Sequence, residues 1–190
     1  VWLDPRPARG FLTAYRSRSL SEFRHHFEQW PVLPQNVAYA DTDGHIAWQL
    51  VGELPQRRKG WGTMPLSGAD PDTGWLDETV PFSRMPHVID PATGFVATAN
   101  NKPMADDAGG PFLGVDWLDG YRVSRINEAL AARTDWDIAS TLQLHRDEIS
   151  LPWRDIREVV LAVETESEAG RLALTLLRQW DGVVSATAPA

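Results

Sequence analysis

The chain has 190 residues, 43% of them apolar, with a formal net charge of −8 and a pI near 5.0. These values suit one globular unit with a sizeable core and argue against a nucleic-acid partner, which would want a basic stripe. No apolar run reaches the roughly 18 residues of a membrane span, so no membrane partner is expected, and the absence of cysteine excludes disulfides and thiolate metal sites while leaving the redox compartment open.

The first well-marked element starts at Ser19. Ser19 and Glu22 have capping-box spacing, and Leu20, Phe23, Phe27 and Trp30 recur at helical intervals until Pro31 and Pro34. A hairpin is expected next, with strands over 37–41 and 45–51 around Thr42-Asp43-Gly44. From Gly52 to Pro91, glycine, proline and charge replace periodicity, with a basic cluster at Arg57-Arg58-Lys59. So long an irregular stretch is uncommon in a compact domain unless it forms functional loops or is packed by a partner, and this part is expected to lean on further segments. A short strand over 95–99 ends at Asn100 and Asn101, and a loop over 102–116 leads to a helix from about Leu118 to Arg133.

The remainder reads as helical. Residues 134–146 offer Thr134 as a cap with Asp137 three places on. The stretch 152–163 puts Ile156, Val159, Val160 and Val163 on one face, and 169–180 puts Leu172, Leu176 and Trp180 on another. The pattern is α+β, a single 190-residue unit with a strand- and loop-rich part over 19–133 and a helical part over 134–182.

Nine tryptophans are the compositional oddity. They could form a flat face for sugar or aromatic ligands, but their scatter along the chain favours packing, each ring burying a large area with one N–H to satisfy. The five histidines suggest no catalytic cluster. His25 and His26 are adjacent on a helix and do not share a face. Neither a GxSxG elbow nor a glycine-rich phosphate motif is present.

The segment GFVATANNKP over 94–103 and GYRVSRI over 120–126, with NVAYADTDGHIAW over 36–48 upstream and LLRQWDG over 176–182 downstream, occur in an order that resembles the β chain of the penicillin acylase (penicillin amidase) family. The resemblance spans about Ser19 to Gly182. It implies part of an N-terminal-nucleophile hydrolase fold with αββα layering, and an amidohydrolase acting on N-acylated amines or β-lactam side chains through an acyl-enzyme. In that family the nucleophile is a serine at the head of the β chain, whose own amine is the general base. This chain begins with Val1, so it is expected to be an internal fragment whose nucleophile lies elsewhere, inactive alone, with the remaining α and β segments as partners and a small-molecule amide as substrate.

By the same resemblance Asn100 is the oxyanion donor, Arg122 orders the active-site hydrogen bonds, and Gln35 stands at an acyl-pocket position that is apolar in better-known relatives. Read without the family, Asn100-Asn101 makes a turn, Arg122 is a surface arginine near Asp119, and Gln35 faces solvent. Arg125, one turn after Arg122, reads as structural. No cofactor is required for the chemistry. A structural calcium is implied for the parent enzyme, with Asp106 and Asp107 as candidate oxygen ligands, although an ungapped count puts Pro111 at the family's aspartate and a solvated acidic loop is the competing reading. The family is usually exported, so a periplasmic or extracellular location is expected. Two other functions remain open from the residues: a Trp-rich binding module for carbohydrate or aromatic ligands, and an inactive structural domain.

Overall fold

A computed structural model describes residues 10–28, 30, 34–105 and 107–189. Its contacts divide the chain into two compact units, Val1–Leu118 and Asp119–Ala190.

The first unit is organised around one short antiparallel sheet. A single helical turn, α1 (Phe11–Ala14), precedes α2 (Leu20–Phe27). The early turn is absent from the sequence reading. Gly10 permits it: the residue has φ +83, and a Cβ there would collide with the carbonyl of His26. Ser19 caps α2 as expected, its Oγ accepting from the Glu22 N–H at 3.2 Å. The reciprocal half of the box is displaced by one residue, because the Glu22 carboxylate accepts from the N–H of Arg18.

The hairpin follows as β1 (Gln35–Ala40) and β2 (Ile46–Val51), in register from Gln35↔Val51 to Ala40↔Ile46. Its turn is built by Asp41, whose Oδ1 accepts from the N–H groups of Asp43 and His45, and by Gly44 at φ +92. Both features are local, which is why the turn can be read from sequence.

The stretch over 52–91 is more ordered than expected. It contains β3 (Pro55–Arg57) paired with β4 (Trp75–Thr79), and β5 (His87–Ile89), which joins the hairpin sheet beside β2. Every residue of β4 is exposed, so no apolar alternation announces it. Asp90 closes the β2–β5 pairing: its carboxylate accepts from the Ile46 N–H at 3.0 Å and meets His45 Nδ1 at 2.8 Å. That hydrogen bond holds the His45 pKa above and the Asp90 pKa below their ordinary values.

The central strand β2 is covered on both faces. One face carries Trp48 and Leu50, clustered with Met85 and flanked by Leu54, Val80, Val96 and Leu113. By strand alternation the other carries Ala47, Gln49 and Val51 and faces α2, whose Arg24 reaches Gln49.

The strand expected over 95–99 does not form. No partner strand runs beside it among the described residues, and its apolar character serves packing, Val96 lying against the Trp48 cluster.

The second unit is helical: α3 (Tyr121–Ala131), α4 (Ile138–Leu144), α5 (Leu151–Leu161) and α6 (Glu168–Gln179). Asp137, not Thr134, caps α4. Its carboxylate accepts from Ser140 N–H at 2.8 Å while Ser140 Oγ accepts from Asp137 N–H at 3.0 Å. Ser150 and Ser167 cap α5 and α6 through one bond each, their Oγ atoms accepting from the N–H groups of Trp153 and Gly170. The apolar stripe foreseen on α5 faces outward, with Ile156, Val159 and Val163 all at least half exposed, and its buried anchors are Leu151 and Trp153.

Arg125 is structural, as the sequence suggests. Its guanidinium grips Asp147 through both carboxylate oxygens at 2.6–3.0 Å, and Glu128 extends the network to Arg154 on α5. The hydrogen bond from Arg125 holds the Asp147 carboxyl below the usual range. A depressed folded pKa means that the stabilisation is fully present above the unfolded value, near pH 3.9, and is lost as pH falls through the folded value. Asp147→Asn should therefore cost about 1.5–3 kcal/mol at pH 6. Urea unfolding should show the gap to the parent chain closing below pH 4, and a gap independent of pH would remove the ion pair as its cause.

Among the described residues, no helix is long and apolar enough to cross a membrane.

Candidate functional site

The two adjacent amides differ in what the backbone does with them. Asn100 has φ +59, in the left-handed region that Asn tolerates better than most residues, and it is exposed. Asn101 is half-buried and closes the turn: its Oδ1 accepts from the Ala99 N–H at 3.0 Å and its Nδ2 donates to the Lys102 carbonyl at 2.9 Å. No strand runs into the pair, so alternation along a strand does not set the two side chains apart. The turn separates them instead, with Asn101 building the bend that presents Asn100.

Arg122 is the second residue of α3, two positions after the N-cap Gly120, and is exposed. The first turn of a helix carries partial positive charge, so a cation there gains nothing from the helix dipole. Asp119, the neighbour suggested as its partner from sequence, accepts from the Tyr121 N–H at 3.1 Å and so caps the first turn. Gln35 and Asn100 belong to the first unit and Arg122 to the second.

Gln35 opens β1 opposite Val51 and is exposed. The register puts it on the α2 side of the sheet, whereas Val96, four residues before Asn100, packs on the other side. Asn36 is the amide on the Val96 side, where its Oδ1 accepts from Trp48 Nε1 at 2.9 Å. The sequence reading passed over Asn36 and also over Gln49, which is 2% exposed in the middle of β2. A lone glutamine inside the run IAWQLV was the available signal, since a buried amide must be hydrogen-bonded.

Of the candidate calcium ligands, Asp106 lies outside the described residues and Asp107 is exposed. No group of three or more His, Asp or Glu side chains stands together among the described residues.

The tryptophans pack locally. Trp117, Trp136 and Trp180 donate their N–H groups to nearby carbonyls, those of Gly114, Arg133 and Val183. The exposed pair is engaged as well, Trp61 against Phe112 at 4.8 Å and Trp75 beneath the Arg57 guanidinium at 4.4 Å. Trp2 lies outside the described residues.

Comparison with known proteins agrees with the motif order. The chain is 30% identical over 159 residues, 83% of its length, to penicillin acylase 2 proenzyme of Pseudomonas sp. (strain SE83), covering 20% of that protein. It is 28% identical over 142 residues to acyl-homoserine lactone acylase QuiP of Pseudomonas aeruginosa, covering 75% of this chain and 16% of the relative. It thus spans about a fifth of the length of these relatives. Among solved structures, the thermostable penicillin G acylase from Alcaligenes faecalis superposes with a TM-score of 0.68 over 92% of this chain and 32% of that one, at 22% identity. The α+β architecture is therefore part of the N-terminal-nucleophile hydrolase fold. The family model described as penicillin amidase matches residues 1–190 without remainder, and the chain belongs to that family.

Proposed function

We propose that the chain supplies the oxyanion side of an amidohydrolase that cleaves N-acylated amines or β-lactam side chains. The nucleophile is a serine in a segment outside residues 1–190. Its attack on the amide carbon produces a tetrahedral intermediate whose oxygen carries the charge, and the Asn100 side chain donates an N–H to that oxygen. Collapse expels the amine and leaves an acyl ester, which water hydrolyses to the carboxylic acid. Arg122 orders hydrogen bonds near the nucleophile through a fork of donors that stays charged at any working pH. Gln35 contributes a polar amide on the acyl side.

The observation that carries the reading is the family match along the whole chain, and the exposed left-handed Asn100 supports it. Relatives named for penicillin and for acyl-homoserine lactones support an N-acyl amide as the substrate class. The other segments of the parent enzyme are the chain's partners, the parent holds a structural calcium with ligands beyond the described residues, and it works in the periplasm or outside the cell.

The 190-residue chain alone should release no product from phenylacetyl, aliphatic acyl or β-lactam amides, and should contribute to turnover once joined to the remaining segments. Saturable hydrolysis by the purified chain alone would place the nucleophile within these residues and overturn the assignment.

A further inference from the structure

We propose that the groove between α2 and residues 82–89 binds a singly charged carboxylate bearing an apolar tail. The groove measures about 520 Å³ and lies wholly within the first unit, a size within the range of small-molecule sites. Its arginine, Arg24, is held from two directions. Arg24 Nε donates to the Gln49 side-chain oxygen at 3.1 Å, and the guanidinium lies 5.8 Å from the centre of the Phe82 ring. Gln49 is itself immobilised, 2% exposed, with its Nε2 donating to the carbonyls of Leu50 and Pro86.

An arginine with its Nε anchored has already lost most of the rotamer freedom that binding would otherwise cost. Its two Nη nitrogens have no hydrogen-bond partner among the described residues, and Arg24 lines the groove. Paired N–H groups on a planar fork match the two oxygens of a carboxylate.

The remaining lining fixes the rest of the ligand. Ser21 and Ser83 add hydroxyl donors to the lining, while Leu20, Phe82 and Ile89 supply apolar surface. Glu28 also borders the groove, with its carboxylate 3.1 Å from His25 Nδ1. Its negative charge disfavours a dianionic head such as a phosphate monoester. Carboxylic acids of this kind are what the proposed amide hydrolysis would release, but the binding does not rest on that reading.

The test is a titration of the isotope-labelled 190-residue chain with octanoate, followed by backbone amide shifts. Saturable shifts are expected at Ser21, Arg24, Ser83 and Ile89, with acetate, octanamide and octyl phosphate each binding about tenfold or more weakly, the loss expected when a charge-assisted hydrogen bond or the tail burial is removed. Ser83→Glu, an exposed substitution that adds a competing carboxylate to the groove Arg24 lines, should abolish the shifts while leaving the rest of the spectrum in place. Absence of saturation with octanoate, equal affinity for octanamide, or unchanged affinity in Ser83→Glu would each overturn the proposal.

Discussion

Trp153→Ala is expected to remove about 3–5 kcal/mol from the stability of the second unit, the range for truncating a buried tryptophan. Trp153 is 6% exposed and stacks 5.1 Å from Trp180. The backbone closes around it on a second side. Ser150 N–H donates to the Gly182 carbonyl at 2.8 Å, Val184 N–H to the Glu148 carbonyl at 2.9 Å, and Ile149 bridges Val183. Gly182 crosses the ring at φ +89, and a Cβ there would stand 3.0 Å from the indole. One side chain therefore ties the start of α5 to the end of α6, which gives a physical reason for the Trp-Asp-Gly at the end of the downstream motif. Trp153 Nε1 is buried without an acceptor among the described residues, so Trp153→Phe gives up ring volume but also relieves an unpaired donor, and should cost about 1 kcal/mol or less. Native-state hydrogen exchange at α6 amides reads this unit separately from the first. Similar losses for the two substitutions would mean that the N–H, and not the packing, holds the corner.

The features that could be read from sequence are those set within a few residues. Ser19 as a cap, the Asp43-Gly44 turn and the existence of α6 all follow from chemistry over one helical turn or one hairpin, although the residue α6 buries is Leu174 and the expected Leu172 is exposed. Cap placement failed at α4 for a specific reason. Thr134 and Asp137 are both competent caps, and the reciprocal bond that selects Asp137 comes from a serine at Ser140 rather than from the Glu or Gln of the usual box. Strands failed wherever pairing was long-range. β5 has three residues and finds β2 across more than 35 positions, whereas residues 95–99 look like a strand and pair with no strand among the described residues. Helix faces also misled, since periodicity on α5 marks an apolar stripe but not what covers it. Asn100 and Arg122 drew attention through the motif order alone. Composition made both ordinary, and the left-handed backbone at Asn100 cannot be seen in an Asn-Asn pair.

In the assembled parent enzyme, Asn100→Ala should lower kcat by about 10²–10³-fold, the roughly 2.7–4 kcal/mol that one oxyanion donor supplies. The donor acts on charge that exists only after attack, so the loss should fall on kcat and kcat/KM together and leave KM nearly unchanged. Asn101→Ala should show a different signature. Its amide bonds Ala99 and Lys102 within the turn, so removing it loosens the bend that presents Asn100. The expected result is a smaller fall in kcat together with lower thermal stability of the first unit. Asn100→Gly separates conformation from chemistry: glycine accepts φ +59 without strain, so it keeps the backbone conformation and deletes the side-chain amide. A defect in Asn100→Gly as large as that in Asn100→Ala identifies the side-chain amide as the agent. Should Asn100→Gly retain parent kcat, the residue is a turn former and the oxyanion is stabilised elsewhere. If maturation depends on the same site, the variants will also process slowly, so rates must be normalised to mature enzyme counted by titration of the nucleophile.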